Sequence, residues 1–374
     1  NGVDANACQR CEQAARQWRR LIGVRDDESS NADADRVGLL LAFAYPDRIA
    51  QQRAPREPRY LLANGRGARL PEWELRLRQP YLVAATLDAG TAQGRATTAG
   101  GRAPGAADAE GFVYLAATIK PDDLEAHFAG HIRREEEVRW DDAEAAVVAR
   151  RVQRLGVLTL DAKPLAHPDP EKVRTAMLDG MRRLGVGCLP WTDEARAWQA
   201  RVLSMRQWFP DEPWPDCSDA AFLENLSDWL GPHLNGISRR SHLARLDMLE
   251  ILKNRLDWKQ SQQLEVDAPT HLEVPSGSRL KLEYQPGESP VLAVKLQEMF
   301  GLADTPRIAR ARVPVTLHLL SPARRPIQVT QDLKGFWERT YAEVRKELKG
   351  RYPKHPWPDD PWNAPPTARA KRRN

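Results

Sequence analysis

Cysteine is scarce in this chain, with four in 374 residues, too few for a disulfide framework. Cys8 and Cys11 form a Cys-x-x-Cys pair, but the second half of a zinc site is missing. The plainer reading is two small residues on a helix face. Cys188 and Cys217 stand alone. Long apolar runs are also missing, and Leu39-Leu-Leu-Ala-Phe-Ala-Tyr45 is too short to span a membrane. No Gly-x-x-x-x-Gly-Lys-Ser/Thr loop occurs, and no Asp-Glu-Ala-His box. The nearest glycine cluster, Gly65-Arg-Gly67, lacks the lysine. Without amides and a lysine on the phosphates, or a magnesium carboxylate, ATP hydrolysis by this chain alone is not expected. The chain starts at Asn1 with no methionine and no leader pattern, which fits an internal fragment of a cytoplasmic protein.

What is present is an uneven charge. Residues 306–374 carry 16 Lys/Arg against 6 Asp/Glu, while the remainder carries 40 against 45. A basic end on a near-neutral body points to a polyanion partner there, nucleic acid before membrane.

Pattern divides the chain. Residues 7–22 read as a helix and 36–45 as a short apolar helix stopped by Pro46, two pieces too small for a core of their own. From residue 59 the period becomes two. Strands are expected at 59–64 with a resumption at 68–70, then at 81–87, 112–119, 132–140 and 146–160. A helix starting at Pro121 lies between the third and fourth. That order predicts an OB-type five-stranded barrel over 46–165. The Gly/Ala/Thr-rich stretch 89–111 reads as a mobile loop. Residues 166–265 read as helices capped by Asp169, Thr192 and Ser218. Two hairpins follow, at 270–284 and 317–330, separated by an expected helix at 290–300. An amphipathic helix over 332–349 comes next, then a Pro-rich strap and a basic disordered end, 363–374.

Other constellations are weak. His127 and His131 have metal-ligand spacing without a third ligand. Alternation splits Glu135-Glu-Glu137 across two strand faces, and Asp141-Asp142 has no sugar cleft signalled around it. Asn225-Leu-Ser227 is a formal sequon on a buried-face helix and is discounted.

The strings of the last third are specific: Thr270-His-Leu-Glu-Val-Pro-Ser-Gly-Ser-Arg279, Leu317-His-Leu-Leu-Ser-Pro-Ala-Arg-Arg-Pro-Ile-Gln-Val-Thr330, and Arg351-Tyr-Pro-Lys-His-Pro-Trp-Pro-Asp-Asp-Pro-Trp362. In this order they resemble the C-terminal domain of bacterial HrpB-type DEAH-box ATP-dependent helicases. The resemblance implies that residues 1–45 are the remnant of a ratchet-like domain. It also implies an OB-type domain over 46–165, a helical connector over 166–265 and the family's C-terminal domain over 266–362. The fold class is then α+β. ATP and magnesium would belong to the parent protein, whose motor domains lie upstream, and no cofactor is expected in this piece.

Nucleic-acid contacts are the remaining chemistry, because OB barrels bind single strands with aromatics and flanking cations. The candidates are Arg59, Tyr60, Arg66, Arg69 and Tyr81 on the first two strands, and Arg139 with Trp140 on the fourth. Arg307, Arg310, Arg312, Arg324 and Arg325 occupy turns of the C-terminal domain. The acidic loop Asp141-Asp-Ala-Glu144 would repel phosphate. The expected partners are single-stranded RNA or DNA and the upstream motor domains. The competing reading is a protein-interaction scaffold with little nucleic-acid affinity.

Overall fold

The computed structural model describes residues 5–23, 36–74, 76–88 and 110–368. The polar stretch 26–35, all but the end of the 89–111 loop and residues 369–374 of the expected basic end lie outside them. The chain divides into two units. The first runs to residue 137 and includes 149–166; the second comprises 138–148 and 167 onward.

In the first unit, α1 (Ala5–Leu21) and α2 (Val37–Ala44) precede a turn at Pro46, where the missing amide cannot extend a helix. Five strands then close a barrel: β1 (Ile49–Gln52), β2 (Arg59–Leu62), β3 (Gly67–Arg69), β4 (Tyr81–Leu87) and β5 (Gly111–Thr118). Their order around the barrel is β1-β2-β3-β5-β4, with β4 returning to β1 and β3 parallel to β5. Alternation sends Ala50, Tyr60, Leu62, Ala68, Leu82 and Val113 into one cluster. The opposite faces of β1 and β4 bury Ile49, Tyr81 and Val83 with Ala42 of α2 and Leu124 of α3 (Pro121–His127).

The closed five-stranded barrel is present, but two of its expected strands belong elsewhere. β6 (Ile132–Asp141), β7 (Ala146–Leu155) and β8 (Leu158–Pro164) form a separate three-stranded sheet. β6 is exposed at half of its positions and buried only at Trp140, so it does not line a barrel. Its charges are used laterally, with Arg154 of β7 paired to Glu135 at 2.7 Å and to Glu137 at 2.6 Å. The unexpected strand is β1, whose two apolar residues precede two glutamines and give periodicity little to read. The turn between β7 and β8 needs Gly156, which has φ +60°. A Cβ there would lie 2.1 Å from the Ala63 carbonyl oxygen.

The second unit opens with α4 (Pro170–Leu184), α5 (Asp193–Trp208), α6 (Asp219–Glu224), α7 (Leu226–Trp229), α8 (Met248–Lys253) and α9 (Trp258–Asp267). The caps are those expected at Asp169, Thr192 and Ser218, and Asp257 with Gln260 adds a capping box on α9. A five-stranded sheet follows, built from β9 (His271–Glu273), β10 (Arg279–Glu283) and β11 (Val291–Lys295). The short pair β12 (Arg307–Ile308) and β13 (Val313–Pro314) intervenes before β14 (Thr316–Leu320) and β15 (Pro326–Thr330). Its order is β15-β14-β11-β10-β9. Both expected hairpins are present. The expected helix at 290–300 is instead β11 followed by a 3-10 turn. Val-Leu-Ala-Val-Lys alternates in burial, and β11 pairs on both sides, parallel to β14 and antiparallel to β10.

The last helix runs as α10 (Leu333–Gly335), a π turn over Phe336–Thr340, and α11 (Tyr341–Arg351). A strap closes the unit: Tyr341 Oη donates to Pro358 O at 2.9 Å, and Gly301 N to Pro361 O at 3.0 Å. One buried cluster takes in Met177, Met205 and Trp229 from the helices and Phe300, Leu317 and Trp357 from the rest. Segments 166–265 and 266–362, read separately from the sequence, share that core. Periodicity finds elements but not which faces meet.

Candidate nucleic-acid interface

The outward face of the barrel carries a row set by strand register. Arg59 of β2 lies opposite Arg69 of β3, and Arg69 lies opposite Phe112 of β5. Tyr114 follows two residues on, on the same face, because Val113 between them points inward and is buried. Tyr114 is 63% exposed and Phe112 38%. Their rings meet edge to face at 5.1 Å. Asp88 fixes both: it accepts from Phe112 N at 2.8 Å and from Tyr114 Oη at 3.2 Å. The Asp88 charge also pushes the Tyr114 hydroxyl above its ordinary pKa, so it stays neutral and donating.

The arginines are not idle. Arg59 pairs with Glu110 at 2.6 Å and Arg69 with Glu72 at 2.6 Å. The Glu110 hydrogen bond and charge raise the Arg59 pKa further. Pairs this exposed are weakly held and can exchange a carboxylate for a phosphate. In the loop after β3, Trp73 is exposed as well.

Three nominated aromatics are core residues. Tyr60 is fully buried, and its hydroxyl donates to Leu77 O and Gln79 O at 3.0 and 2.9 Å. Burial pushes that hydroxyl up to about 12. Tyr81 is buried and accepts from Gln51 Nε2 at 3.0 Å. Trp140 is 4% exposed, lies against Gly180 of α4, and donates to Asp142 at 2.9 Å. None of the three offers a face for a base. Alternation marks a strand but not which of its faces is inside, so the sequence reading chose the inward aromatics. Phe112 and Tyr114 were legible as alternate residues of the expected strand at 112–119, but no residue of that strand was nominated.

The nominated cations divide likewise. Arg66 is exposed on the β2–β3 turn, and Arg139 pairs with Asp141 at 3.2 Å. Arg307 is spent on its own loop, donating to Ala311 O at 2.7 Å and Arg312 O at 2.9 Å. Arg310 bridges Glu212 and Asp267, each at 2.8 Å, over the Phe209 ring. Arg312 lies over the same ring and reaches Trp208 O at 3.3 Å. These three hold the fold and do not form a phosphate cluster. Arg324 and Arg325 differ: both are exposed on the β14–β15 turn, and neither guanidinium has a partner among the described residues. His127 and His131 pack on phenyl rings, those of Phe43 and Phe128 respectively. Among the described residues no three His, Cys, Asp or Glu side chains group as a metal site. No described helix is long and apolar enough to cross a membrane.

Comparison with known proteins agrees with this architecture. The family described as "ATP-dependent helicase C-terminal" matches residues 229–361, and "ATP-dependent RNA helicase HrpB, connector region" matches 131–165. The second match falls on the β6–β8 sheet. The chain is 40% identical over 361 residues to the ATP-dependent RNA helicase HrpB of Escherichia coli K12, covering 96% of this chain and 42% of that protein. The crystal structure of the E. coli DExH-box NTPase HrpB matches with a TM-score of 0.55 at 39% identity. That match covers 96% of this chain and 42% of the other. The chain thus belongs to the HrpB-type ATP-dependent helicase family and corresponds to the C-terminal region of its members.

Proposed function

We propose that this chain is the accessory part of a cytoplasmic DEAH-box helicase, which guides single-stranded RNA or DNA along an OB-type barrel. The motor domains, with their ATP and magnesium, lie in the remaining length that the curated relative has and this chain does not span. The observation that carries the reading is the Arg59–Arg69–Phe112 row with Tyr114 beside it, two exposed rings flanked by two exchangeable cations. Ring faces accept any base, and the arginines follow the backbone, which gives binding without sequence preference. The β1-β2-β3-β5-β4 order with β3 parallel to β5 supports the OB assignment.

The test is fluorescence anisotropy of a labelled oligothymidine. Replacing Phe112 and Tyr114 together by alanine is expected to weaken binding about tenfold or more, with unchanged thermal unfolding. Unchanged affinity rejects the barrel face as the contact. A second reading, a scaffold that docks protein partners, draws on the exposed Val37, Leu40 and Phe43 of α2. Salt separates the two. Phosphate binding falls steeply with ionic strength, and apolar docking does not.

A further inference from the structure

Within the second unit, a cavity of about 450 Å³ lies beside the tip of the β6–β7 hairpin. Its lining includes Glu144, Cys188, Pro190, Arg239, Arg240 and Leu243. Its size suits a nucleotide-sized ligand. Most arginines of this unit are paired, such as Arg183 with Asp142 at 2.9 Å and Arg196 with Asp219 at 2.7 Å. Arg239 and Arg240 are not, and neither guanidinium forms an ion pair or hydrogen bond among the described residues.

Their backbone is nevertheless fixed. Val147 N donates to Ser238 O at 2.7 Å and Arg240 N to Ala145 O at 2.9 Å, with an antiparallel bridge between Ala146 and Arg239. Two guanidiniums without a partner among the described residues, carried on an isolated bridge and the first residue of a 3-10 helix, leave bidentate donors open to an anion. The lining also has an apolar part, from Pro190 and the half-buried Cys188, with Leu243 buried beneath it. Arg240 sits near enough to the thiol that its charge opposes the upward shift burial imposes on Cys188. One acid, Glu144, faces the cavity and offsets one of the two positive charges.

We infer that this cavity is a phosphate-binding pocket in which Arg239 and Arg240 hold the anion and the Pro190 side receives the attached sugar or base. The phosphate comes from a nucleic-acid backbone or from a free nucleotide. The first source rests on the function proposed above; the phosphate chemistry does not.

Isothermal titration of the whole chain tests it, in a Phe112→Ala/Tyr114→Ala background that silences the barrel face. The probes are a dodecamer of deoxythymidine, uridine 5′-monophosphate and inorganic pyrophosphate. At least one probe is expected to bind, and Arg239→Ala/Arg240→Ala is expected to weaken it about tenfold or more. Glu144→Gln is expected to act in the opposite direction and tighten it, which no unfolding artefact would mimic. Binding of the dodecamer alone assigns the pocket to a nucleic-acid strand; binding of the monophosphate assigns it to a free nucleotide. If the monophosphate binds here while the barrel variant leaves oligonucleotide affinity untouched, the pocket stands and the barrel reading falls. Silence from all three probes, or affinities indifferent to both sets of variants, overturns the pocket.

Discussion

Arg310 and Arg325 come from one basic stretch, and both sit at turns with left-handed backbone, at Arg310 itself (φ +54°) and at Arg324 (φ +59°). Their environments have nothing else in common. Arg310 is clamped by Glu212 and by Asp267, which is 4% exposed, while Arg324 and Arg325 reach solvent with no side-chain partner among the described residues. A basic turn therefore has two uses. One neutralises a buried carboxylate and fixes α9 against the turn between β12 and β13. The other leaves its charge available to an outside anion. The acids that decide between them lie far upstream, so the turn's own sequence cannot tell which use applies.

The contrast can be broken in three ways. The largest effect is expected from Arg310→Ala, which strands the buried Asp267 charge. A loss of about 2–3 kcal/mol in denaturant-measured stability follows, at the lower end for such pairs because the guanidinium is half-exposed. Arg310→Ala with wild-type stability would dissolve the distinction. Gly180→Ala sharpens the same contrast for aromatics. Its methyl would sit 2.1 Å from the buried Trp140 ring, so about 1–3 kcal/mol is expected from overpacking, again read by denaturant midpoint. The smallest structural effect belongs to Arg324→Ala/Arg325→Ala. Stability should move by less than about 0.5 kcal/mol. The slope of log binding constant against log salt for an oligonucleotide should fall by about two. An unchanged slope would reassign the turn to protein docking.

The sequence carried the local grammar well. Capping residues at Asp169, Thr192 and Ser218, the Pro-Ser-Gly-Ser turn and the Pro46 stop each have a short-range cause, and each element formed there. It carried assembly poorly. β1 was invisible because Ile49-Ala50 is too short a pattern, and β6 and β7 looked like barrel strands because alternation does not reveal which sheet a strand joins. β11 was read as helix because a four-residue apolar run fits either period. For the interface, the aromatics nominated on the first, second and fourth expected strands, Tyr60, Tyr81 and Trp140, are inward residues, and the third, which carries the exposed Phe112 and Tyr114, was not nominated. Face is a property of barrel closure, and closure is a long-range fact.

The most direct measurement is photocross-linking of the chain to a 4-thiothymidine oligonucleotide, with the adducts located by peptide mass spectrometry. Cross-links centred on Phe112 and Tyr114, and weakened by rising salt, are the predicted result. Cross-links absent from β5 and confined to other surfaces would contradict a nucleic-acid path over the barrel face.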